Sequence, residues 1–157
     1  MKFKLLFAVC ICFILTGCTG LGGLKPRQIT MLKQQGFTYH EDEGWSLKLN
    51  DPLLFGFDKI ESSPESIRQI EGLSIKLHKY NLEQLKIVGY TDDIGQEAYN
   101  LKLSQQRAEY ISSIFLQNGF KPINIQTLGR GSENPIVPND SDENRANNRR
   151  VSIIIVP

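Results

Sequence analysis

Leu85-Lys86-Ile87-Val88-Gly89-Tyr90-Thr91-Asp92-Asp93-Ile94-Gly95-Gln96-Glu97-Ala98-Tyr99-Asn100-Leu101-Lys102-Leu103-Ser104-Gln105-Gln106-Arg107 reads as a strand, a loop and the start of a helix. Residues 85–90 are β-branched and alternating, which predicts a strand. Beyond Arg107, Ala108, Ile111, Ile114 and Phe115 recur at helical spacing, and Gly119 supplies a C′ residue that stops the pattern. Thr91 and Asp92 therefore fall where the strand ends, and Arg107 is expected one to two turns into the helix. A strand–loop–helix unit can fold an acid and a base fifteen residues apart towards each other. Opposite charges held at the mouth of one loop can grip a zwitterion.

Working outward, Ser63-Pro64-Glu65 is a helix start, with a capping hydroxyl, a proline suited to the first turn and an acid that complements the dipole. Ile67, Ile70, Leu73 and Leu77 give that helix one apolar face to about Tyr80. Gly44 to Leu49 alternates, with Trp45, Leu47 and Leu49 on one side, and reads as a strand. Leu53 to Asp58 begins as a strand and loosens at Gly56; Ile123 to Leu128 alternates again. Glu143 to Asn148 can form a short helix, and residues 149–156 form a β-branched last strand expected at the centre of the sheet. The order predicts an α+β fold with helices packed on one face of a mixed β-sheet.

The N-terminus carries Lys2 and Lys4 before an apolar run from Leu5 to Leu15, about eleven residues against the ~20 needed to span a bilayer. Residues 1–17 thus read as a signal peptide. Leu15-Thr16-Gly17-Cys18 resembles the bacterial lipobox, which implies cleavage before Cys18 and its acylation. Thr19, where an aspartate would mark inner-membrane retention, points to the outer membrane, with the rest of the chain in the periplasm. Cys10 and Cys12 leave with the signal peptide, so no thiol remains for a disulfide or a thiolate metal site. The 18 basic and 17 acidic residues nearly balance, which argues against a nucleic-acid partner. His40 and His78 lack His or Cys companions, no nucleophile–base motif appears, and Glu97 and Glu109 alone do not make a glycosidase pair. No metal, no cofactor and no enzymatic activity are expected.

Gly89-Tyr90-Thr91-Asp92, Gly95, Tyr99-Asn100, Leu103-Ser104 and Arg107-Ala108 together resemble the signature of the OmpA-like, peptidoglycan-associated domain. The resemblance continues in Gly129-Arg130-Gly131-Ser132-Glu133-Asn134-Pro135 and in Arg145 to Val151, and runs from about Leu53 to the C-terminus. It implies non-covalent binding of peptidoglycan, with Asp92 and Arg107 matching the ligand-binding acid and base. Asn100, Thr91, Leu103 and the Phe57-Asp58 pair match positions that line or shape the pocket. The wall's meso-diaminopimelate carries an ammonium and a carboxylate on one free centre. Asp92 suits the first and Arg107, through its fork of donors, the second. The alternative for Asp92 and Arg107 is a buried salt bridge that staples the loop. Arg149 and Arg150 can hold the site's carboxylates or finish the sheet edge, and Asp93 reads as a solvated loop residue.

Residues 18–26 form a lipidated, glycine-containing tether, 27–52 a helix and strand extension, and 53–157 the wall-binding domain. Pro26 to Gln35 can form a helix closed by Gly36. The extension contains Met31, Leu32, Phe37 and Trp45, more apolar than a bare tether requires. Trp45 to Leu49 can pad the domain's own sheet, whereas residues 29–37 can present an apolar patch to a partner. Pro26 to Thr38, Gly44 to Leu47 and Asn50-Asp51 resemble lipoproteins that sequester a periplasmic repressor and so release an inner-membrane diguanylate cyclase. Phe55 to Lys59 is closer to purely structural lipoproteins that tether the outer membrane to the wall, which is the alternative. The extension is further expected to fold back at rest and extend when the wall is bound.

Overall fold

The computed structural model describes residues 21–50 and 63–157. Cys18, the expected signal peptide, the expected strand at Leu53 to Asp58 and the Phe57-Asp58 pair lie outside those residues. Pro26–Gln34 forms α1, followed by a hairpin of β1 (Thr38–His40) and β2 (Gly44–Asn50). Then come α2 (Pro64–Lys79), β3 (Leu85–Tyr90), α3 (Glu97–Gln117), β4 (Ile125–Gly129), α4 (Asp142–Asn148) and β5 (Arg150–Ile155). The five strands make one sheet in the order β1-β2-β5-β3-β4, parallel only between β3 and β4. The continuous apolar run of β5 is thus central, as its sequence predicts. The short β1 strand, which alternation over three residues could not reveal, completes one edge.

The ends of the helices follow their local chemistry. Ser63 Oγ accepts from Ser66 N at 3.1 Å, the cap expected of it. Gly119, at φ +92°, leaves α3 through the left-handed region. Leu85, Ile87, Val151, Ile153 and Ile155 present one face of the sheet to Ile70, Leu77, Ile111 and Phe115 on α2 and α3, forming the main core. The opposite face holds a smaller cluster of Val88, Tyr90 and Ile154.

The expected apolar patch on the extension needs correction. Met31, Leu32, Phe37 and Trp45 are all buried in the main core; Leu32 is 0% and Trp45 2% exposed. Four large side chains within fifteen residues have more to gain under the sheet's helix-covered face than in water, so the segment closes the core of the domain. Trp45 also lies 5.6 Å from the Tyr39 ring across the hairpin. Extending this segment would withdraw all four from the core. Leu32→Ala is accordingly expected to cost about 2–5 kcal/mol, read as a fall in denaturant midpoint. An unchanged midpoint would show that the segment packs loosely.

Candidate functional site

Two paired glycines set the site. Gly89 on β3 lies opposite Gly129 on β4, and α3 crosses the sheet there. A Cβ on Gly89 would lie 2.0 Å from the carbonyl oxygen of Ser104, and one on Gly129 2.5 Å from Gln105 N. Only hydrogen at both positions lets the helix come this close. Gln105 Oε1 then accepts from Gly129 N at 2.6 Å, and Ser104 Oγ from Gly131 N at 2.9 Å. This contact fixes the rotation of α3, so Asn100, Leu103 and Arg107, spaced i, i+3 and i+7, face the loop that leaves β3.

That loop is held open by its own polar groups. Thr91 N donates to Gly131 O at 2.7 Å, and Thr91 Oγ1 to Asp92 O at 2.9 Å. Asp92 Oδ1 accepts from Ile94 N at 3.1 Å, a local turn typical of aspartate. Asn100 Nδ2 donates to Ile94 O at 3.0 Å. Thr91 and Asn100 are both buried and spend these groups on the loop, so they shape the pocket.

The resulting cavity of about 330 Å³ is lined by Thr91, Asp92, Ile94, Gly95, Tyr99, Asn100, Leu103, Arg107 and Arg149. Asp92 is 6% and Arg107 1% exposed, so both charges are withdrawn from bulk water. Burial on this scale is costly without compensating charge, and the compensation includes a residue left ambiguous in the sequence. Arg149 Nη1 donates to Asp92 Oδ2 at 2.8 Å, with 19% of its side chain exposed. The arginine doublet divides its work. Arg149 enters the pocket from the end of α4, while Arg150 points to the other face of the central strand. There its guanidinium stacks 3.6 Å above the Tyr90 ring and donates to the carbonyls of Asn148 and Asn134. Burial pushes the Arg150 pKa down and the Tyr90 pKa up.

Arg107 lies about three turns into α3, deeper than expected, because the helix already begins at Glu97. Ile94 and Tyr99, both exposed, also line the cavity and were not expected in the site, although Tyr99 belongs to the motif that carries the resemblance. The pocket therefore combines one carboxylate with two guanidinium groups. A carboxylate offers about four acceptor sites, and Ile94 N and Arg149 are among the donors that Asp92 accepts from. The carboxylate suits a ligand ammonium, and the excess positive charge suits a ligand carboxylate. Among the described residues no group of three His, Cys, Asp or Glu is placed to hold a metal ion.

Comparison with known proteins finds relatives in sequence and in fold. A family model described as the OmpA family matches residues 54–149. The outer-membrane lipoprotein YfiB of Pseudomonas aeruginosa is 35% identical over 133 residues, covering 85% of this chain and 79% of that protein. The peptidoglycan-binding protein ArfA of Mycobacterium tuberculosis is 36% identical over 104 residues, 66% of this chain and 32% of ArfA. Among solved structures, the cell wall anchor of the T6SS from Pseudomonas aeruginosa superposes with a TM-score of 0.65 at 26% identity, over 81% of this chain and 92% of that one.

Proposed function

The chain belongs to the OmpA family, and from that premise we propose that it binds peptidoglycan non-covalently through the free zwitterionic centre of meso-diaminopimelate. The observation that carries the proposal is that Asp92, Arg107 and Arg149 line one pocket. Asp92 accepts the ammonium, Arg107 takes the carboxylate with its planar fork, and Arg149 holds Asp92 in the acceptor orientation. Thr91, Asn100 and Leu103 keep the pocket shaped; the Phe57-Asp58 pair is proposed to complete it. Acylated Cys18 anchors the chain in the outer membrane, leaving the domain in the periplasm to reach the wall. Likeness to a protein named an outer-membrane lipoprotein supports this placement. The proposed role is binding, not turnover, which the likeness to a protein named peptidoglycan-binding supports.

The test is retention of the detergent-solubilised chain on two walls that differ at one group. Lysine-type peptidoglycan lacks the carboxylate on the side-chain centre. Retention on diaminopimelate-type wall alone is expected; equal retention on both would sink the assignment of Arg107 to that carboxylate.

The resemblance of the N-terminal extension to repressor-sequestering lipoproteins extends the proposal to a periplasmic protein partner and, through it, to a diguanylate cyclase. With Met31, Leu32, Phe37 and Trp45 inside the core, such a partner meets the exposed face of α1, where Arg27, Thr30, Lys33 and Gln34 lie. Charge reversal of Arg27 and Lys33 is expected to weaken that contact and leave wall retention intact. Deleting residues 26–39 would instead remove core side chains and confound the two roles.

A further inference from the structure

We propose that the zwitterion pocket continues across Gly95 into a second subsite, which takes hydrogen-bond donors on the wall segment attached to the far end of the diaminopimelate. The inference rests on the ligand assigned to the first pocket. A separate cavity of about 200 Å³ is lined by Gly95, Glu97, Leu101, Arg130, Ser132 and Glu133, with Gly131 at its base. Gly95 lines both cavities. Its φ of +99° lies in the region that favours glycine, and a Cβ there would meet Asn100 Oδ1 at 3.7 Å and the Tyr99 ring at 3.9 Å. The zwitterion and the chain attached to it can therefore lie in one continuous trough.

The wall of this second cavity is built rigidly onto the first. Arg130 N donates to Gly89 O at 3.0 Å, and Gly131 is clamped between Thr91 N and Ser104 Oγ. A Cβ on Gly131 would lie 3.2 Å from Leu101 N, so the loop presses directly on α3. The strand and helix that carry Asp92 and Arg107 thus also carry the second cavity, and the spacing between the two is preorganised.

Their chemistry is opposite. The first pocket has an excess of guanidinium groups. The second has two carboxylates and a hydroxyl against one guanidinium, and Arg130 Nη1 is already engaged by Glu133 Oε2 at 3.3 Å. Carboxylates only accept hydrogen bonds, so this space favours N–H and O–H donors and disfavours a second anion. The ligand has the same polarity order. Beyond its free centre come three methylenes, which can lie along exposed Leu101, and then a centre whose nitrogen is in a peptide bond. Amide N–H groups follow, and then sugar hydroxyls.

The experiment is calorimetry on the detergent-solubilised chain with three ligands. These are free meso-diaminopimelate, the stem tripeptide that contains it, and the same tripeptide on its disaccharide. The wild type is expected to bind the disaccharide tripeptide about tenfold or more tightly than free diaminopimelate. In Glu97→Ala/Glu133→Ala that margin should shrink to about twofold while affinity for free diaminopimelate is kept. A margin already present in the bare tripeptide assigns the donors to amides, and one that needs the sugars assigns them to hydroxyls; either supports the subsite. Equal wild-type affinity for all three ligands, or a margin untouched in the double variant, overturns it. If the wild type does not bind free diaminopimelate at all, the ligand assignment of the first pocket falls, and the subsite with it.

Discussion

Arg107→Ala is expected to reduce retention on diaminopimelate-type peptidoglycan by about a hundredfold, which corresponds to ~3 kcal/mol. The side chain is 1% exposed, so hydrogen bonds from it to a ligand carboxylate would form away from competing water. A charge-assisted bond nets about 1.5–3 kcal/mol, and the guanidinium can make two in parallel. Its loss also leaves Asp92 closer to neutralised by Arg149 alone, removing the excess positive charge that a carboxylate needs. Arg107→Lys separates charge from geometry. It keeps the cation and loses the planar fork, so an intermediate loss is expected. The readout is co-sedimentation with purified wall at fixed salt, alongside thermal melting of each variant. Full retention by Arg107→Ala with an unchanged melt would mean that the ligand carboxylate is not held here.

Gly89→Ala is expected to unfold the domain or destabilise it by about 3 kcal/mol or more, the upper range for overpacking. The added methyl would lie 2.0 Å from the main-chain oxygen of Ser104 and 2.8 Å from its carbonyl carbon. Neither atom can swing away as the end of a flexible side chain can. Relief requires α3 to lift off the sheet, which would break Gly129 N–Gln105 and Gly131 N–Ser104 together. Such a loss is a large share of the stability of a domain this size. Gly72→Ala is the control: it lies within α2 with nothing within 4 Å of an added Cβ. There alanine is expected to stabilise by up to about 1 kcal/mol through helix propensity. Comparable midpoints for Gly89→Ala and wild type in urea would refute the close crossing and the site geometry built on it.

Local chemistry made most of the elements legible from residue order. The Ser63 cap, the Gly119 stop, the alternation of β2 and the continuous apolar run of β5 each depend on neighbours a few positions away. That Asp92 and Arg107 come to one cavity was legible too, because a strand end and a facing helix are separated by one loop. The doublet Arg149-Arg150 was not. Adjacent residues at the mouth of a strand point to opposite faces, and which face carries the pocket depends on where α3 crosses. That crossing depends on two glycines forty residues apart in sequence and opposite each other only once β3 pairs with β4. The fate of Met31, Leu32, Phe37 and Trp45 had the same origin. Their apolarity is visible in the sequence, but whether it meets a partner or the chain's own core depends on long-range packing. Hydrophobic burial is non-directional, so an apolar pattern specifies that a face will be covered and leaves its cover to the assembled sheet and helices.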